Sequence, residues 1–221
     1  MIFSEDESSG FEKFSKYAKG SEKIEFIGFE SFSGDTIFQF KRNISHIQTL
    51  SFVPVLPDSE VYQLESREFT DQFPKEKNLS LMVQTYLNNP FEERIILEPR
   101  EPRFFYNGIP IRISLWIQSN YYKGKIILVF NNPLYGDIKL DLGSLDFGGW
   151  KRFEKNTNIS SYKFKQKSHF KERFTFKGLY LEFTKKQVPT QLLLYFHRLG
   201  ILIEKHPTYP GSEVQDDWRI K

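Results

Sequence analysis

The chain contains no cysteine, which excludes disulfides, thiolate-ligated zinc and thiol chemistry; cysteine-free chains occur in oxidising and reducing compartments alike, so the redox setting stays open. It has little net charge. Lys+Arg 31 against Asp+Glu 28 leaves +3, too small an excess for the surface field of a dedicated nucleic-acid binder, and no nucleic-acid partner is expected. No apolar run approaches the ~18 residues of a membrane span. Met1 to Gly10 is acidic and polar, without the basic-then-apolar order of a signal peptide, although a chain numbered after cleavage would read the same way.

Catalytic and metal-binding patterns are equally sparse. The nearest approach to a nucleophile elbow, Gly143-Ser144-Leu145, lacks the second glycine and a following helix. There is no phosphate loop and no His-Glu-x-x-His, and the four histidines, His46, His169, His197 and His206, lie far apart. Asp137, Asp141 and Asp146 fall near strand ends, where turn capping is the stronger reading and calcium ligation the weaker one. A glycosidase would need two facing carboxylates, which one sequence cannot identify. No catalytic residue, metal ligand or cofactor is expected.

What the chain does have is aromatics: 23 Phe, 11 Tyr and 3 Trp among 221 residues, a composition suited to the half-buried surfaces of strands. Short alternating runs recur at 25–30, 36–41, 50–55, 79–86, 111–118, 125–130, 138–142, 179–184 and 191–198. Punctuation such as Ser33-Gly34-Asp35, Asn131-Asn132-Pro133 and Gly148-Gly149 separates them. About nine strands with irregular loops predict an all-β fold, a two-sheet antiparallel sandwich of jelly-roll or related Greek-key topology, like lectins and carbohydrate-binding modules. Residues 23–205 form the predicted sandwich domain. Residues 1–22, where the spacing of Phe11, Phe14 and Tyr17 allows one short amphipathic turn but no sustained apolar face, read as a polar N-terminal arm, and 206–221 as an extended C-terminal tail. Glu60 to Phe73 reads as a long connection with room for one helical turn, and Phe91 to Tyr106 as edge strand or loop.

Within 111–118, Ile111, Ile113, Leu115 and Ile117 share one face, and Arg112, Ser114, Trp116 and Gln118 the other. Alternation then groups Arg112, Trp116, Tyr180, Glu182, Tyr195 and His197 away from the apolar stripe as a candidate glycan or partner surface, where aromatic rings stack on sugars. A strand buried on both sides would enclose Trp116 instead. The basic stretch Lys151, Arg152, Lys155, Lys163, Lys165, Lys167, Lys171 and Arg173, interleaved with aromatics, reads as a solvated strand, a contact for an acidic protein, or a nucleic-acid surface. Gly148 and Gly149 permit special backbone angles or close packing, and Trp150 is expected to fold its indole over the sandwich end as a structural residue.

The segment Ile109 to Phe153 carries Ile109-Pro110, Trp116, Asn120-Tyr121, and Gly143, Leu145, Phe147, Gly149, Trp150 and Lys151. In these positions it resembles the outer-layer (sheath) proteins of spirochaete periplasmic flagellar filaments, the FlaA family. Lys177-Gly178-Leu179 and Leu194-Tyr195-Phe196 resemble that family's closing strands, but His197-Arg198 stands where an acidic residue is expected and the basic insertion is longer. The resemblance implies a periplasmic, non-enzymatic component that coats the flagellin core and influences filament shape and motility. Its partners would be core flagellin, other sheath subunits and, if the lectin-like reading also holds, glycans on the core.

Overall fold

The computed structural model describes residues 5–20, 23–34, 38–41, 48–73, 76–101, 103–105, 108–132, 136–157 and 174–205. Its strands are β1 (Ile24–Glu30), β2 (Phe38–Phe40), β3 (Gln48–Val53), β4 (Ser80–Leu87), β5 (Arg94–Pro99), β6 (Arg103–Phe105), β7 (Gly108–Asn120), β8 (Gly124–Asn132), β9 (Gly136–Ser144), β10 (Gly148–Asn156), β11 (Phe174–Phe183) and β12 (Thr190–Lys205). Helices α1 (Glu5–Lys19) and α2 (Glu60–Glu68) and a 3-10 turn, η1 (Thr70–Gln72), complete the elements. The strands form two antiparallel sheets. Sheet A has the order β10-β7-β12-β4-β3, with β1 also on β12; sheet B has the order β2-β5-β11-β8-β9, with β6 also on β11.

The chain crosses between the sheets repeatedly, so alternate residues of both meet in one core, the sandwich expected from the alternating runs. Val83, Ile113, Leu115, Ile117, Leu194 and Phe196 of sheet A face Leu97, Ile126, Leu128, Phe176, Leu179 and Leu181 of sheet B. Ile111 departs from the predicted stripe. The β7–β12 register shifts between Leu202 and Ile203, which pair with Arg112 and Pro110; the skipped Ile111 turns outward and packs on the helix side.

A second bulge lies in β12, where the register shifts between His197 and Leu199 and Arg198 takes φ 42. The extra residue lets His197 and Arg198 both reach the outer side while Phe196 and Leu199 stay in the core. On one flank β12 pairs β7 for most of its length. On the other it pairs β4 up to Phe196 and β1 from Leu199 onward.

The N-terminal arm is a helix that belongs to the fold. Phe11, Phe14 and Ala18 recur at helical spacing and pack into a second cluster with Phe26, Phe69, Phe73, Trp116 and Leu202. Burying each phenyl ring contributes about 2 kcal/mol, and Lys16 and Lys19 in the last turn complement the helix dipole. The presumed connection at 60–73 is likewise α2 followed by η1. The Ser59 Oγ caps α2 by accepting from the Tyr62 N–H at 3.1 Å, and Val61, Tyr62 and Glu65 turn toward sheet A. Both segments are polar on average, which hid a one-sided apolar stripe.

Residues 91–106 supply β5 and β6, and Gly148–Asn156 is a full edge strand. The tail at 206–221, His46, His169 and His206, and Lys163, Lys165, Lys167, Lys171 and Arg173 lie outside the described residues.

Candidate binding surface

The outer face of sheet A is divided into two halves by what lies on it. Over one half sit α1, α2 and η1, and the interface between them and the sheet is polar as well as aromatic. Trp116 is 1% exposed and its Nε1–H donates to Glu65 Oε2 at 3.1 Å. Arg152 donates from Nε to the same oxygen at 2.8 Å, and its guanidinium lies over the Phe14 ring at 4.6 Å. Glu154 then joins Arg152 to Arg112, at 2.5 and 2.8 Å.

Beside this chain, Arg198 forms a two-pronged pair with Glu76 at 2.8 and 2.6 Å, and Glu76 also meets His197 Nε2 at 2.8 Å. Tyr62 Oη lies 3.1 Å from the same histidine nitrogen. Burial pushes the Glu76 carboxyl upward, but hydrogen bonds and charge from His197 and Arg198 outweigh it and hold Glu76 below the usual carboxylate range. Burial raises the Tyr62 phenol despite the opposing charge of Arg198. These groups fasten the helices to the sheet.

The other half of the same face is open among the described residues. Cross-strand pairing puts Trp150, Gln118, Tyr195, Met82 and Ser51 in one row across β10, β7, β12, β4 and β3. Toward the β4 C-terminus, Leu193, Gln84 and Thr49 form the next row, and Gln191 pairs with Tyr86 beyond it. Every one of these side chains is half-buried or exposed, and none is charged. The Trp150 and Tyr195 rings lie 6.4 Å apart at 49°, flanking Gln118, whose buried Oε1 has no donor among the described residues.

Tyr121 extends this surface at the β10 edge. It is 64% exposed, held at φ 56, and its N–H donates to Phe147 O at 2.8 Å. A Cβ at Gly148 would lie 2.6 Å from the tyrosine ring, so only glycine lets that ring lie on the strand, on the side where Trp150 projects two residues later. Gly149, at φ 84, meets the expectation of special backbone angles. Trp150 itself does not fold over the sandwich end; it stands on the sheet face at the border with the helix-side cluster.

The six grouped residues are therefore not one surface. Tyr195 alone lies on the open half. Trp116 and His197 are buried beneath α2, and Arg112 is ion-paired at the covered end. Tyr180 and Glu182 belong to sheet B, where Glu182 pairs with Arg94 and Lys125 on the molecule's opposite side. Alternation assigned each to the outer side of its strand, but it carries no information about which sheet the strand joins.

Of the basic contact, Lys151 is exposed, with Nζ 5.4 Å from the Phe153 ring centroid. Arg152 is buried in its pair with Glu65 and is no partner contact. The three aspartates go to separate partners: Asp137 to Asn131, Asp141 to Lys125 and Asp146 to Lys123. Among the described residues no three His, Asp or Glu side chains gather as a metal site. The residues that sequence reasoning passed over, Met82, Gln84 and Tyr86, do carry a signal, since they alternate with Leu81, Val83 and Leu87 along β4.

No family model matches the chain, and no curated protein matches it. Solved structures resemble it weakly. A family 11 carbohydrate-binding module of a cellulosomal cellulase from Clostridium thermocellum aligns over 84% of this chain and 98% of its own, with 8% identity and a TM-score of 0.44. A family 29 carbohydrate-binding module from Piromyces equi aligns over 82% and 91%, with 10% identity and a TM-score of 0.40. Infectious bursal disease virus, Gx strain, gives the same score of 0.40 with 10% identity over 76% of this chain and 36% of that one. Likenesses at this level do not discriminate between functions.

Proposed function

We propose that this chain is a non-catalytic glycan-binding domain that holds a neutral carbohydrate on the open half of sheet A. The observation that carries this reading is the row of Trp150, Gln118 and Tyr195, two half-buried rings flanking an amide whose Oε1 has no donor among the described residues. Aromatic rings offer apolar faces to the C–H faces of sugars, and side-chain amides both donate to and accept from hydroxyls. In a chain with 27% charged residues, an uncharged patch of this extent favours an uncharged partner, because an anionic glycan would be desolvated there without a countercharge. The test is affinity electrophoresis through gels containing soluble neutral polysaccharides. Retardation that is lost in Trp150→Ala and Tyr195→Ala supports the reading; a wild-type chain unretarded by every neutral polymer overturns it.

A second reading, the flagellar sheath role, draws support from one feature. Residues of the FlaA-like motif, Asn120-Tyr121 at the end of β7 and Gly149-Trp150 on β10, lie together as neighbours, with Tyr121 packed on the adjoining Gly148. In that role the chain would be periplasmic and would bind core flagellin and neighbouring sheath subunits, and the sheet face could take glycans of the core. Cosedimentation with isolated flagellar cores tests it, and failure to cosediment at subunit excess removes it.

A further inference from the structure

Resting on the glycan reading, we infer that the ligand is an internal stretch of a linear neutral polysaccharide lying across the strands, and that Tyr121 and Tyr86 are its outlying contacts. The inner row runs uninterrupted from β10 to β3, the two edges of sheet A on this side. At ~4.8 Å per strand, four spacings give a track roughly 19 Å long, several times the width of one pyranose ring. Tyr86 lies four residues along β4 from Met82, roughly 13 Å to one side of that row in the strand direction, so a chain that reaches it from Trp150 and Tyr195 crosses the sheet obliquely. Aromatics on the edge strand, in mid-sheet and on β4 suit successive units of a chain, not one terminal sugar. Both ends of the row are edge strands of the described sheet, so no described strand stops a chain from continuing past them.

Tyr121 is the outlying contact most clearly built for presentation. Its left-handed backbone is unfavourable for a tyrosine, yet the turn is fixed on both sides. Lys123 pairs with Asp146 at 2.6 Å, and the Lys123 N–H donates to Gln187 at 2.6 Å. Gly148 leaves room for the ring to lie against β10. The ring stays 64% exposed, so this arrangement is not accounted for by burial; it holds an aromatic surface in a fixed place beside Trp150.

The experiment uses the full chain and two probes: a panel of soluble neutral glucan, mannan, xylan and galactan with polygalacturonate as the charged control, and oligosaccharides of one to six units from whichever polymer binds. Affinity should rise with each unit up to at least four, with no retardation by polygalacturonate. Tyr121→Gly, which removes the ring while suiting the positive φ, should weaken hexasaccharide binding roughly three- to tenfold and leave disaccharide binding unchanged. Tyr86→Ala should behave alike, whereas Trp150→Ala should abolish both. If the monosaccharide binds as tightly as the hexasaccharide, or Tyr121→Gly and Tyr86→Ala bind the hexasaccharide like wild type, the track is wrong and the glycan reading stands. If no neutral polymer binds the wild type, the glycan reading itself has failed.

Discussion

The covered and open halves of sheet A's outer face are made by the same strands, β7, β10 and β12, yet they hold opposite kinds of residue. Under the helices are Arg152, Glu154, Arg112, His197 and Arg198, each joined to a partner. On the open side, a few residues away along the same strands, are Gln118, Trp150, Tyr195 and Leu193 with no charge among them. The usual arrangement of charged outside and apolar inside is inverted here. Charges are used where specific partners from α1, α2 and the 76–80 segment fix the helices in place, and accessible aromatics are left where nothing in the described chain covers them.

The strongest way to break the contrast is to remove the centre of the covered half. Glu65→Ala would leave the buried Arg152 Nε without its acceptor, with Glu154 the guanidinium's remaining carboxylate, and Trp116 Nε1 without an acceptor. A loss of about 3–5 kcal/mol in denaturant unfolding is expected, and a loss under 1 kcal/mol would show that the pair is dispensable. Phe14→Ala, which opens a cavity beneath α1, should cost about 3 kcal/mol by the same measurement; an unchanged midpoint would mean that α1 is not part of the cooperative unit.

Acid should loosen the covered half more gently. Glu76 has its carboxyl held below its unfolded value, so its contribution is fully present above the ordinary carboxylate pKa, near 4.5, and is lost as pH falls through the lower folded value. Thermal melts of the wild type should drop across that range, and Glu76→Gln should show a lower but flatter profile. Equal slopes would remove Glu76 from the account. The smallest effect belongs to the open half: Tyr195→Ala and Tyr86→Ala should each shift stability by less than about 1 kcal/mol, so that binding defects there are read as loss of contact and not of fold.

Much of the sandwich is legible in the sequence because strand periodicity records which side of a strand faces apolar matter. Ile113, Leu115 and Ile117 are inward as their spacing requires. What that period cannot record is covering by a distant segment. Trp116 and Gln118 alternate identically on β7, and only the packing of α2 makes one buried and the other part of an open row. Phe11 and Phe14 could have disclosed the helix through their three-residue spacing, but the polar residues around them pulled the average toward a solvated arm. The platform was harder still, since its members come from five strands far apart in the chain and meet only through sheet order.

The single additional residue at position 198 determines where one half of this face ends and the other begins. Because two consecutive residues, His197 and Arg198, turn outward there, removing either one returns the strand to plain alternation with Leu199, Ile201 and Ile203 still inside. What would be lost is one of the two side chains that close on Glu76. The bulge thus doubles the polar grip of β12 on the covered side while leaving its apolar side in register.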